Sequence, residues 1–176
     1  MEAEDKLKIY SAMAETSRKW VAAMDTKAGF ISALNAGLLG FVWTGAKLID
    51  SGIWPKSLAL LATFCSLVSL LSALCVVLPR ASLKKVFGNG IEYADGFKAI
   101  SFYGYVAANY PKGKADDFIA EVKAMDTAVL AHEALEQHYT ICHVAQKKSM
   151  WVAFAGEFLI LAFVFVCLGL VLKVTL

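Results

Sequence analysis

Three stretches of this chain are too apolar for water. Ala28–Ala46 is 19 residues without a charged side chain, and Leu58–Leu78 is 21. Met150–Leu172 is 23 residues, all apolar or small except Glu157. About 20 apolar residues at 1.5 Å rise cross the hydrocarbon core of a bilayer. The pattern therefore predicts transmembrane helices at 28–46, 58–78 and 150–172.

The flanking segments read as helices too. In residues 1–27, Leu7, Tyr10, Met13, Ser17, Trp20 and Met24 recur at spacings of three and four, which gives one mostly apolar stripe. No Gly or Pro interrupts it before Gly29, so one helix of more than 40 residues should run into the first span. Within that span Gly29, Ala33 and Gly37, and Ala36 and Gly40, form small-xxx-small pairs that allow close helix packing. Region 79–149 opens on Pro79-Arg80, a helix stop. Gly88-Asn89-Gly90 and Pro111-Lys112-Gly113 are turn signals, with an aromatic patch, Ile100 to Tyr105, between them. From Asp116, read as an N-cap, a helix should continue to Lys148 and into the last span. Its apolar face, Phe118, Val122, Met125 and Val129, continues as His132, Glu136, Tyr139 and His143. The expected fold is an all-α membrane protein. Three transmembrane helices carry a cytoplasmic helical layer, formed by extensions of the first and third spans, with no independent soluble domain.

Composition agrees: 59% hydrophobic and 18% charged, against about 25% charged in soluble domains. Lys and Arg set the orientation. Five precede the first span, two lie in 47–57, nine in 79–149, and only Lys173 follows the last span. The positive-inside rule places the N-terminus and region 79–149 in the cytoplasm, and the C-terminus outside, in the periplasmic or extracellular space. Arg80, Lys84 and Lys85 on one side, and Lys147 and Lys148 on the other, put the charge at the membrane edges. None of the spans reads as a cleaved signal. Cys65, Cys75 and Cys167 lie in spans and Cys142 on the cytoplasmic side, which is no disulfide framework. A net charge of +2 gives no reason to expect a nucleic-acid polymer as partner.

The candidate chemistry is sparse. Glu157 costs at least a few kcal/mol at membrane depth unless it is protonated, paired or facing water. Two readings stay open: a helix contact, for instance with Asn35 or a Ser of the second span, or a pore-facing or gating carboxylate of an oligomer. Asp25 and Lys27 at the inner boundary read either as an anchoring pair or as a cation presented to an anionic ligand. His132, Glu136, Tyr139 and His143 share a face, but nothing nearby closes a four-ligand metal site. With no phosphate loop or nucleophile elbow, the expectation is no enzyme, no metal and no cofactor.

Trp20 to Gly29, containing Asp25-Thr26-Lys27-Ala28 and leading into a small-residue span, resembles the opening of the Pycsar effector transmembrane domain family. The order of Pro79-Arg80, then Phe102-Tyr103-Gly104, then Ala145-Gln146-Lys147-Lys148 before the last span is similar as well. Tyr103 stands between a Phe and a Gly that the family pattern sets side by side. The resemblance covers about residues 15 to 173. It implies an anti-phage effector of the bacterial inner membrane, activated by 3′,5′-cyclic CMP or cyclic UMP and impairing that membrane as a homo-oligomer in abortive infection. Phosphate and base then call for cationic and aromatic partners. Lys27, Arg80, Lys147 and Lys148, with Tyr103, His138, Tyr139 and His143, are the candidate ligand residues; Phe102 is a further stacking candidate. The competing readings are a membrane scaffold or accessory subunit that senses no nucleotide, and an effector gated by another cyclic oligonucleotide.

Overall fold

The computed structural model describes residues 2–78, 100–101 and 103–175. Pro79, Arg80, Lys84, Lys85, the Gly88-Asn89-Gly90 turn and Phe102 lie outside the described residues. Every regular element among the described residues is helical. Helix α1 is Ala3–Gly40, continued by a π-helical turn at Phe41–Gly45, and a 3-10 turn follows at Leu48–Asp50. Helix α2 is Ile53–Val77, α3 is Tyr103–Asn109, α4 is Ala115–Ala124 and α5 is Thr127–Thr175. Three segments, Ala3–Gly45, Ile53–Val77 and Thr127–Thr175, are long and apolar enough to cross a membrane.

The long first helix forms as its uninterrupted stripe predicts. Its end is abrupt: the Ala46 N–H donates to the Phe41 carbonyl at 2.7 Å, and Lys47 turns the chain at φ 47, ψ 41. Helix α2 starts at Ile53, upstream of the uncharged stretch. Pro55 lies in its first turn, where a missing N–H costs nothing.

The single helix expected from Asp116 to Lys148 is instead two helices. α4 stops where Met125 becomes extended, at ψ 136, and α5 begins at Thr127. Asp126 stands between them, and its carbonyl accepts from Val129 N–H at 3.0 Å and Leu130 N–H at 3.2 Å. That is the role of a residue opening a helix, and Asp is among the preferred types there. The position expected to cap α4 also shifts. Lys114 precedes it, and Asp116 and Asp117 fill the first turn, where they favour the positive end of the helix dipole. The Pro111-Lys112-Gly113 turn forms as its residues require, with Gly113 at φ +97.

The chain makes two compact units. The membrane unit comprises Val21–Pro79 and Gln146–Leu176. Its packing is inside-out relative to a water-soluble bundle. On α2 most buried positions are small or polar, Ala59, Ala62, Cys65, Ser66, Ser69, Ser72 and Ala73, joined by Pro55 and Val76. Leu60, Leu61, Phe64, Leu67, Leu71 and Leu74 are exposed. Lipid solvates a leucine as well as another helix does, so close packing selects small residues. Leu38, Val42, Leu48, Leu159, Ala162 and Val166 pack against this face. At Gly169 an added Cβ would meet Leu48 at 3.5 Å and Leu58 at 3.6 Å. By contrast Gly29, Ala33, Ala36, Gly37 and Gly40 of α1 are exposed, so their small-residue stripe packs against no other helix among the described residues.

The charged unit comprises Met1–Trp20 and Arg80–Ala145. Among the described residues its buried positions are Ala14 and Ser17 of α1 and Ala131, Glu133 and Ala134 of α5. Tyr110 packs edge-on against Phe118, with ring centroids 5.1 Å apart, and its hydroxyl donates to Glu121 Oε2. That bond, with some burial, pushes the Tyr110 phenol up to about 12.

A polar cavity and a membrane-depth acid

The charged unit holds a cavity of about 250 Å³ between the early turns of α1 and α5, closed by Ile100 and Ser101. Each helix contributes apolar and polar side chains to the lining: Leu7, Ala14, Leu130 and Ala134 with Ser11, Arg18, Glu133 and Gln137, and Ser101 adds a further polar group. Helical spacing puts them there. Leu7, Ser11, Ala14 and Arg18 share a face of α1, as Leu130, Glu133, Ala134 and Gln137 do on α5.

Glu133 is the centre of the polar network. It is only 7% exposed, which a carboxylate tolerates only when hydrogen-bonded. The Ser101 N–H donates to Oε1 at 2.9 Å and its hydroxyl to Oε2 at 3.0 Å. Gln137 Nε2 donates to Oε1 at 2.7 Å. This fixes the Gln137 amide, whose Oε1 accepts from Arg18 Nη2 at 2.5 Å. Arg18 is exposed at the rim, and its other N–H donors are unengaged among the described residues. The result is a fixed acceptor inside and an open cationic fork at the mouth.

A second polar contact joins the same two helices. Ser17, 4% exposed, lies 2.7 Å from His138 Nδ1 and donates to the Met13 carbonyl at 3.2 Å. Both bonds are satisfied when Nδ1–H donates to the Ser17 oxygen. The pair joins α1 to α5, and the ring's Nε2 lies 3.7 Å from Cys142 Sγ.

The ligand residues expected from sequence fall in different places. His138 is held by Ser17 beside the cavity. Tyr139, 65% exposed, makes an edge contact with His143 at 4.5 Å between centroids. Tyr103 begins α3, and its side chain lies outside the described residues, as does Arg80. Lys27, Lys147 and Lys148 belong to the membrane unit. Lys27 and Lys147 are exposed, and Lys148 forms an ion pair with Asp25.

At membrane depth, Asn35 is 0% exposed. Its Nδ2 donates to Ser69 Oγ at 2.8 Å, and Ser69 Oγ donates to the Ala155 carbonyl at 2.6 Å. One polar chain thus ties all three spans. Glu157 is not part of it; the side chain is exposed on α5 and has no hydrogen-bond or ion-pair partner among the described residues.

Arg18, Ser101, Glu133 and Gln137 were not singled out from sequence. Their signal was the polar intrusion of Glu133 and Gln137, one turn apart, beside Leu130 and Ala134. It is visible only once the facing helix is known.

These features define a three-span helical membrane protein with a polar cavity in its charged unit. The chain matches the family described as the Pycsar effector protein domain over residues 9–174. It belongs to that family, and so is a cyclic-nucleotide-associated effector of anti-phage defence. No curated protein and no solved structure matches it.

Proposed function

We propose that this chain binds 3′,5′-cyclic CMP or cyclic UMP in the cavity of its charged unit and responds by impairing the bacterial inner membrane as a homo-oligomer. It catalyses no reaction in this reading, and its N-terminus is cytoplasmic, where the signal is made. The observation that carries the reading is that Arg18 and buried Glu133 line one cavity, joined only through Gln137, which accepts from Arg18 and donates to Glu133. A cyclic mononucleotide has one phosphodiester charge at one end and a hydrogen-bonding base at the other. The Arg18 fork suits the phosphate oxygens. Glu133, held by Ser101 and Gln137, accepts a donor such as the cytosine N4 amine or the uracil N3–H. Leu7, Ala14, Leu130 and Ala134 supply the apolar contacts for the base face.

Size favours a mononucleotide over a larger signal. Ligand pockets commonly hold about 300–1,000 Å³, and this cavity, at about 250 Å³, lies just below that range. A cyclic oligonucleotide needs at least twice the room. A non-sensing scaffold accounts for Glu133, which holds Ser101 and Gln137, but gives the open Arg18 fork no role.

Thermal shift of the full chain in detergent is the test, with cyclic CMP and cyclic UMP against the 5′-monophosphates. A ligand that binds only the folded state raises the midpoint. The reading expects a rise with one or both cyclic nucleotides, and loss of that rise in Arg18→Ala. No rise with either ligand overturns it.

A further inference from the structure

Among the described residues Glu157 has no bonding partner, and it is too deep to reach water. Lys148, paired with Asp25, marks one end of the membrane unit. Lys173, donating to the Ala46 carbonyl at 2.6 Å, marks the other. At 1.5 Å per residue Glu157 lies about 14 Å beyond Lys148 and about 24 Å short of Lys173. A glutamate side chain spans neither distance. Yet it is exposed on α5, beside Gly156, where an added Cβ would meet nothing within 4 Å.

The same two contacts set α1 level with α5, so Glu157 stands at about the level of Ser32 and Ala33. That level of α1 is open. Gly29, Ala33 and Gly37 are exposed, and a Cβ on either glycine would meet nothing within 4 Å. Ser32 Oγ donates to the Ala28 carbonyl at 2.9 Å, which leaves its lone pairs to accept from a partner.

We propose that Glu157 of one copy seats against the small-residue stripe of α1 in a neighbouring copy, forming the mid-membrane contact of a homo-oligomer. Copies related by an axis along the membrane normal keep every residue at its own depth. An α5 face at this level then meets an α1 face at the same level. The two faces differ, so the contact is heterologous and repeats until a ring closes. Small residues let the backbones approach, which brings the carboxyl to the Ser32 hydroxyl and helix backbone rather than to lipid. Another protein's helix would have to supply the same small, polar-bearing face at the same depth; a second copy already has one. The contact concerns assembly and stands apart from the nucleotide reading.

The test uses full-length chains in liposomes. Copies carrying Glu157→Cys are mixed with differently tagged copies carrying Ala33→Cys, then oxidised, with each single variant as the control for the native cysteines. The expected result is a mixed-tag disulfide dimer at least tenfold above either control. Single-molecule photobleaching should show Ala33→Leu and Glu157→Leu reducing assembled chains at least fivefold, while Glu157→Gln, which keeps hydrogen-bonding capacity, assembles. A wild-type chain that stays monomeric overturns the proposal. So does a wild type that assembles only with another membrane protein present, or assembly unchanged in both leucine variants. Thermal shift with cyclic CMP and cyclic UMP on the same samples separates the two readings. Assembly lost with the shift kept leaves sensing intact; assembly kept with no shift leaves the interface standing without the sensor.

Discussion

At the scale of single residues, the cavity depends on one cation and one anion in unlike settings. Arg18 is solvated and gains from a bound phosphate, because a charge-assisted hydrogen bond contributes about 1.5–3 kcal/mol. Arg18→Ala should weaken cyclic nucleotide binding about 10- to 100-fold by titration calorimetry, with the melting point of the ligand-free chain nearly unchanged. Glu133 is the reverse case. Glu133→Ala strands Ser101 and Gln137, so it should lower ligand-free stability by about 1–3 kcal/mol in a denaturant titration. Tyr110 gives a pH signature. Its phenol is raised to about 12 by donating to Glu121, so the unfolded chain loses this proton first as pH rises. The stabilisation is complete below about pH 10 and lost as pH climbs toward 12. Tyr110→Phe should melt lower than wild type at pH 8, and the gap should close toward pH 12. None of these roles was readable from the chain. In sequence Arg18 is one of five early cations, and Glu133 one acid on a polar helix. Burial and facing partners distinguish them, and both need the third dimension. Asp25, Lys27 and Glu157 stood out earlier because a charge beside an apolar run is conspicuous in one dimension.

At the scale of elements, the three spans were legible because length and hydropathy alone decide whether a helix can cross a bilayer. The break between α4 and α5 was not. Phe118, Val122, Met125 and Val129 keep helical spacing across it, so periodicity masks a chain that turns extended at Met125. Which small residues face the interior was not legible either. Small residues stand out in the first span, yet among the described residues it is α2 whose Ala and Ser positions are buried within the chain. Hydropathy cannot rank two spans whose small residues face either a neighbour or lipid. The resulting arrangement separates two leucine-scale changes on α2. Ala62→Leu forces a large side chain into a fully buried position and should cost about 1–3 kcal/mol. Leu67→Ala, on the exposed side, should cost well under 1 kcal/mol in steric-trap unfolding. Equal effects would mean that α2 does not hold the centre of the bundle.

At the scale of the whole molecule, a nucleotide signal and a membrane response must share a free-energy difference. A ligand that binds resting and active states equally shifts nothing, however tight it is. If the active state is an assembly of copies, cyclic nucleotide must bind the assembled chain better than the single one. Reciprocity then makes assembly raise nucleotide affinity by the same factor. α1 and α5 each contribute residues to both units, so each carries cavity residues, Arg18 on α1 and Glu133 on α5, and membrane-depth residues, the open stripe on α1 and Glu157 on α5. Two variants take the mechanism apart. Arg18→Ala should leave the membrane machinery whole but unresponsive: dye-loaded liposomes stay sealed at cyclic nucleotide concentrations that empty wild-type liposomes, and leak at about 10- to 100-fold higher ones. Glu157→Leu should still bind, with affinity reduced only by the lost coupling, a factor of about 5–150 at typical strengths, yet its maximal leak should fall at least fivefold even at saturating nucleotide. The two failures differ in kind, one shifting the dose and the other lowering the ceiling of the response. If both variants merely shift the dose, sensing and membrane damage share one site rather than two linked ones.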